Sequence, residues 1–129
     1  MSKDWYKDMQ DFHKVVMLDN FEPRPHQPPP KYYTLRYTLV KEEMEETLEA
    51  IKIGSLAEVA DGIADSIYVL LGTTVTYGID IRPIWNLVHK ANMEKKKGKM
   101  RSDGKRLKPP GWKHPDIEKE IRRQYNDGL

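Results

Sequence analysis

Apolar residues recur at helical spacing along most of the chain. Trp5, Met9, Phe12 and Val16 step by three or four residues and predict a first helix over 4–19. The segment FEPRPHQPPP that follows is too proline-rich for regular helix, so residues 21–30 are expected to be a loop. A second helix is expected to begin near Lys31 to Leu35. Its apolar stripe is Leu35, Leu39, Met44, Leu48 and Ile51, with Gly54 placed as its C-cap. Ser55-Leu56-Ala57-Glu58 has the form of a capping box and opens a third helix running to about Tyr77, where Gly78 stops it. Asp80 can cap a fourth helix that tolerates Pro83 in its first turn and turns Ile84, Leu87, Val88 and Ala91 inward. Beyond Lys97 the chain is rich in Lys, Gly and Pro. KPPGWKHPDI reads as an extended arm, and HPDIEKEIRRQY closes with a short helix. Neither an internal repeat nor strand-like alternation is present. The reading is all-α: a four- to five-helix bundle forming one domain over 1–129, with a Pro-rich loop at 21–30 and a basic arm at 95–129.

The third helix breaks the amphipathic pattern. Leu56, Val59, Ile63, Ile67, Leu70 and Leu71 point in several directions, and no Lys, Arg or His occurs between Ser55 and Ile81. A helix that is apolar nearly all round is expected to be buried. Yet Glu58, Asp61 and Asp65 fall at i, i+3 and i+7, on one face. The preceding helix adds Glu42, Glu43, Glu45, Glu46 and Glu49. Like charges at such spacings cost about 0.2–0.5 kcal/mol per pair, and buried carboxylates cost several times more unless neutralised. Protonation, a basic side chain from another helix or a divalent cation would each relieve the strain. Hard oxygen donors from several side chains suit Mg²⁺ or Mn²⁺, and the metal reading answers the clustering best. Asp61 and Asp65 are expected deep in the apolar helix. Solvated surface is the plainer reading of Glu42, Glu45 and Glu49, and Glu58 has a rival task in the capping box.

Composition narrows the classes. The chain has no cysteine, which excludes disulfides, thiolate metal sites and a cysteine nucleophile. Its start does not read as a signal peptide, and no apolar run is long enough for a bilayer, so a cytoplasmic protein is expected. The net charge of +2 hides a segregation. From Glu42 to Asp65 the only basic residue is Lys52. From Arg82 to Lys113 the charges are basic apart from Glu94 and Asp103.

LVKEEMEETLEAI, then LAEVADGIADSIYVLLGTTVTYGID, then VHKANMEK and DGKRLKPPGWKHPDI resemble the all-α nucleoside triphosphate pyrophosphohydrolases, the MazG-like and phosphoribosyl-ATP pyrophosphohydrolase-like proteins met in phages and bacteria. The likeness covers roughly residues 8 to 117. It implies Mg²⁺-dependent cleavage of a nucleoside triphosphate between the α and β phosphates, in a homodimer or a dimer of dimers. A phage-encoded protein of this kind would work in the host cytoplasm. Glu42, Glu43 and Glu46 match the family's EExxE, and Asp65 matches the aspartate of its ExxD. Gly62 departs from the pattern, standing where many members carry the glutamate. Asp61, with Glu58, then supplies the missing oxygen.

The resemblance thus implies metal ligands at Glu43, Glu46, Glu58, Asp61 and Asp65, and Glu42 or Glu46 as the base. Asn92, Lys95, Lys96 and Lys105 are candidates to hold the outer phosphates. His13 and Arg36 lie where FH and LR recur near the nucleotide, and Trp112 is expected to anchor the arm. A purine deoxynucleotide, dGTP or dATP, is the implied substrate. A metabolic enzyme acting on phosphoribosyl-ATP is the alternative within the class. Outside it stand a non-catalytic helical oligomer that binds nucleic acid through the basic limb, and a catalytically silent scaffold.

Overall fold

The computed structural model describes residues 3–127 and is all-helical. Helix α1 spans Trp5–Phe12 and continues as a π-helical turn over His13–Met17. Then come α2 over Pro30–Ile53, α3 over Leu56–Thr76, α4 over Ile81–Met93 and α5 over Ile117–Asp127. No helix of the described residues is long and apolar enough to cross a membrane.

Local signals place most boundaries. The Asp4 side chain accepts from the Lys7 amide, and Leu18, at φ 55°, ends the first helical span. Pro30 enters α2 at its first position, one residue inside the expected loop, because an N-terminal helical residue has no amide partner to lose. Gly54 turns the chain out of α2 at φ 86°, a left-handed conformation that glycine adopts without strain. Asp80 caps α4 by accepting from the Arg82 amide at 3.0 Å. Gln124 of α5 clamps the same corner, with its amide oxygen on Asp80 N and its nitrogen on Asp80 O, both at 2.9 Å.

Four expectations about burial need correction, the smallest being Val88 of α4, expected inward and 38% exposed. Val16 is 60% exposed, because the wider π turn rotates it off the face set by Tyr6, Met9 and His13. The apolar stripe of α2 does not face its own chain: Leu35, Met44, Leu48 and Ile51 are all exposed, and the helix buries Arg36 and Ala50 instead. Nor is α3 covered on every side. Leu56 is 88% exposed and Ile63, Tyr68 and Leu70 are exposed too, while Gly62, Ser66, Gly72 and Thr76 are buried.

The cause is the α2–α3 contact, the most extensive in the fold. It is built from small and polar residues, so the two helices approach closely. Thr47 Oγ lies 2.9 Å from Ser66 Oγ and donates to Glu43 O at 2.7 Å. Large apolar side chains are left outside that seam. Tyr37, Met44, Leu48 and Ile51 on α2, and Leu56, Ile63 and Leu70 on α3, form outward stripes.

Candidate active site

The hairpin of α2 and α3 brings two sets of carboxylates together. The Thr47–Ser66 pair holds Glu43 level with Ser66, and so beside Asp65. One turn toward the hairpin, a groove of about 240 Å³ is lined by Glu46, Glu49, Glu58, Asp61 and Asp65, with Gly62 and Ala50 in its floor. Glu43 stands at its edge with Oε2 buried and without a hydrogen-bond partner. Burial raises the pKa of that carboxyl first, and the charges of Glu46, Asp65, Glu42 and Asp61 push it further in the same direction.

The desolvated acid is therefore Glu43. Asp61 and Asp65, expected deep in α3, are exposed in the single chain because they flank the seam instead of filling it. Glu49, read from sequence as solvated, lines the groove; Glu42 and Glu45 are exposed and outside its lining. Glu58 is only half engaged in capping. Its amide donates to Ser55 Oγ at 3.3 Å, whereas no hydrogen bond of its carboxylate is formed among the described residues. That leaves both oxygens for the groove.

Gly62 has a steric reason to interrupt the acids. A Cβ at this position would lie 2.7 Å from Thr47 Oγ1 and 3.1 Å from Thr47 Cα. A glutamate here would wedge the seam open, so the oxygens come from the positions on either side.

Among the described residues no three His, Asp or Glu side chains converge into a ready-made metal cluster. The donor set nevertheless fits a hard divalent cation: oxygen only, and one oxygen buried with nothing to accept from. Glu43, Glu46, Asp61 and Asp65 are the residues able to hold it, with Glu58 at the groove end.

His13 and Arg36 are placed together but inside the protein, 3% and 7% exposed. His13 Nδ1 is 2.9 Å from Asp19, and its Nε2 is buried without a partner. Arg36 donates from Nε to Thr73 Oγ1 at 3.1 Å and from Nη2 to Val69 O at 2.7 Å. Burial lowers its pKa, and the nearby Asp19 charge acts the other way. Gly72 makes room for both: a Cβ there would sit 2.6 Å from Arg36 Nη2 and 3.1 Å from His13 Nε2.

A second, basic cleft lies elsewhere. Asn92, Lys95 and Lys105 line it with Lys108, Trp112 and His114, and it shares no lining residue with the acidic groove. Lys96, the fourth candidate, is exposed and outside it. Trp112 does anchor the arm, donating from Nε1 to Ala91 O at 2.6 Å. The ammonium groups of Lys95 and Lys108 sit 4.9 and 5.0 Å from its ring centre. Before it, residues 99–107 fold back through the Met100–Arg106 bridge, which makes that part of the limb a turn and not an open tail.

A helical hairpin that gathers carboxylates from two neighbouring helices, with lysines in a cleft apart from it, fits an all-α nucleotide hydrolase. The family model for phosphoribosyl-ATP pyrophosphohydrolase matches residues 9–92, and the chain belongs to that family. No curated protein matches it. The matched stretch contains every groove carboxylate and ends before Lys95 and Lys105. Family membership supports a nucleotide pyrophosphohydrolase activity.

Sequence reasoning did not find the Thr47–Ser66 pin or the role of Gly72. Their signal was present in Gly62, Ser66, Gly72 and Thr76, four small residues set into an otherwise apolar helix.

Proposed function

We propose that the protein hydrolyses a (deoxy)nucleoside triphosphate between the α and β phosphates, releasing monophosphate and pyrophosphate, with a purine deoxynucleotide as substrate. The observation that carries this reading is Glu43: a carboxylate with one oxygen buried and unpartnered, at the edge of a groove lined by five more. Such an arrangement is costly unless a cation neutralises it. Mg²⁺, or Mn²⁺ in its place, held by Glu43, Glu46, Asp61 and Asp65 with Glu58 nearby, would offset phosphate charge and acidify a water when bound. Glu46, which lines the groove, would orient an attacking water and accept its proton, with Glu42 the alternative from the next turn. Lys95 and Lys105, with Asn92, hold the outer phosphates when the arm of the same or a second copy reaches the groove. Arg36 ties α2 to α3 through Thr73 and Val69 while His13 packs against Gly72, and in this reading neither touches the nucleotide.

The outward stripes of α2 and α3 are the surface for a second copy, making a homodimer or a dimer of dimers. Fully covering an exposed apolar side chain is worth about 1.5–3 kcal/mol. Several such side chains covered at once would be needed to offset the freedom lost on association.

The test is incubation with each of the eight common nucleoside triphosphates and Mg²⁺, followed by product analysis. Pyrophosphate plus monophosphate supports the reading, and orthophosphate plus diphosphate rejects it. The name of the matching family favours a second reading, phosphoribosyl-ATP as substrate, and this compound belongs in the same panel.

A further inference from the structure

We infer that the cleft between α1 and α3 is the base pocket, and that Asp8 makes it selective for guanine. The cleft has a volume of about 550 Å³, within the usual range for small-molecule sites, and none of its residues has a part in the chemistry described above. Trp5 and Tyr68 line it from the two helices, with Ile67 and Leu71 deeper. Tyr68 is held by an edge-on contact with Phe12, ring centres 5.2 Å apart. Both Trp5 and Tyr68 are exposed, so their rings are available to a planar ligand.

Position ties the cleft to the acids. Ala60 and Ala64 line the cleft, while Asp61 and Asp65, the next residues along α3, line the groove. Two alanine methyls make a low ridge, so a ligand with its phosphates over Asp61 and Asp65 can lay its other end across it. That end is not the phosphate end, because the cleft's one charged side chain is the carboxylate of Asp8.

The chemistry of that carboxylate selects the ligand. Ionised Asp8 only accepts hydrogen bonds. Its recorded partner is Lys3, at 3.5 Å and largely exposed, which a ligand can displace. Two carboxylate oxygens match an edge with two adjacent N–H donors, which guanine offers at N1 and its 2-amino group. Adenine and cytosine set an acceptor beside their amino group, and thymine and uracil flank a single N–H with two carbonyls. A second copy is a poorer occupant: Ile63 is the one residue this cleft shares with the outward stripes, and pairing there would bury the Asp8 carboxylate against apolar surface.

This inference rests on the proposed hydrolysis, so two measurements separate them. In the first, kcat/KM is compared for dGTP and dATP with Mg²⁺ in the full chain and in Asp8→Asn. The wild type should prefer dGTP, and the variant should shift the ratio toward dATP by about tenfold or more, the discrimination expected of a bidentate contact, chiefly through KM. An unchanged ratio, or a wild type indifferent to the base, overturns the pocket and leaves the hydrolysis standing. In the second, metal-free protein is titrated with dGMP and dAMP, following the tryptophan fluorescence that Trp5→Phe removes. Guanine-selective quenching that Asp8→Asn abolishes upholds the pocket even if no triphosphate is cleaved. Quenching without base preference, or none, overturns it.

Discussion

The acidic groove and the basic cleft are built by opposite means. The groove rests on two regular helices locked by a seam of small residues, where Gly62 meets Thr47 and Thr47 meets Ser66. The cleft rests on irregular chain: a back-folded turn over 99–107 and a proline-rich arm held to α4 by the indole of Trp112. Negative charges that repel one another need a rigid frame to stay together. Lysines that must follow a phosphate chain gain from a longer, more adjustable tether. The family match covers the rigid half and stops before the adjustable one.

Breaking the groove should have the largest effect. Glu46→Gln or Asp65→Asn is expected to lower Mg²⁺-dependent turnover by about 10²–10⁴-fold, measured as pyrophosphate released, with the helical circular dichroism unchanged. Near-full activity at excess metal would remove these residues from the site. Next comes the frame itself. Gly62→Ala puts a methyl against Thr47 Oγ1, so it should cost about 1–3 kcal/mol in denaturant unfolding and reduce turnover with it. An unperturbed midpoint would show that the seam yields easily.

Disturbing the cleft should act more mildly. Trp112→Ala releases the arm and two stacked lysines, and Lys105→Ala removes one charge. Each is expected to weaken triphosphate binding more than monophosphate binding in titration calorimetry, and equal losses would dissociate the cleft from the substrate. The smallest effect concerns Glu43. Its raised pKa means that the folded chain keeps this proton to higher pH than the unfolded chain does. The stabilisation is complete below the ordinary glutamate value and is lost as pH rises through the raised one. Metal-free Glu43→Gln should therefore melt slightly higher than wild type at neutral pH, and should lose the rise in Tm that Mg²⁺ gives the wild type.

Much of the frame was legible in the chain. The caps at Ser55 and Asp80, the stop at Gly54 and the five-helix order depend on interactions within a turn or two. The acids were legible too, because Glu58, Asp61 and Asp65 repeat with the helix. Their burial was not. Periodicity shows that Leu48 and Ile51 share a face, but not whether that face meets the same chain or another surface, and here they point away. Likewise FH and LR marked His13 and Arg36 as noteworthy, yet their place beneath Gly72 depends on residues far apart in sequence.

The sequence by itself determined the helices, their ends and the gathering of carboxylates at helical spacing, since these follow from near-neighbour geometry and charge. Only the tertiary structure decided which acid is desolvated, why position 62 is glycine, and that the lysines occupy a cleft of their own. Those outcomes depend on how closely two helices approach, and that distance is set by the smallest residues in the seam, not by the apolar ones that dominate the pattern.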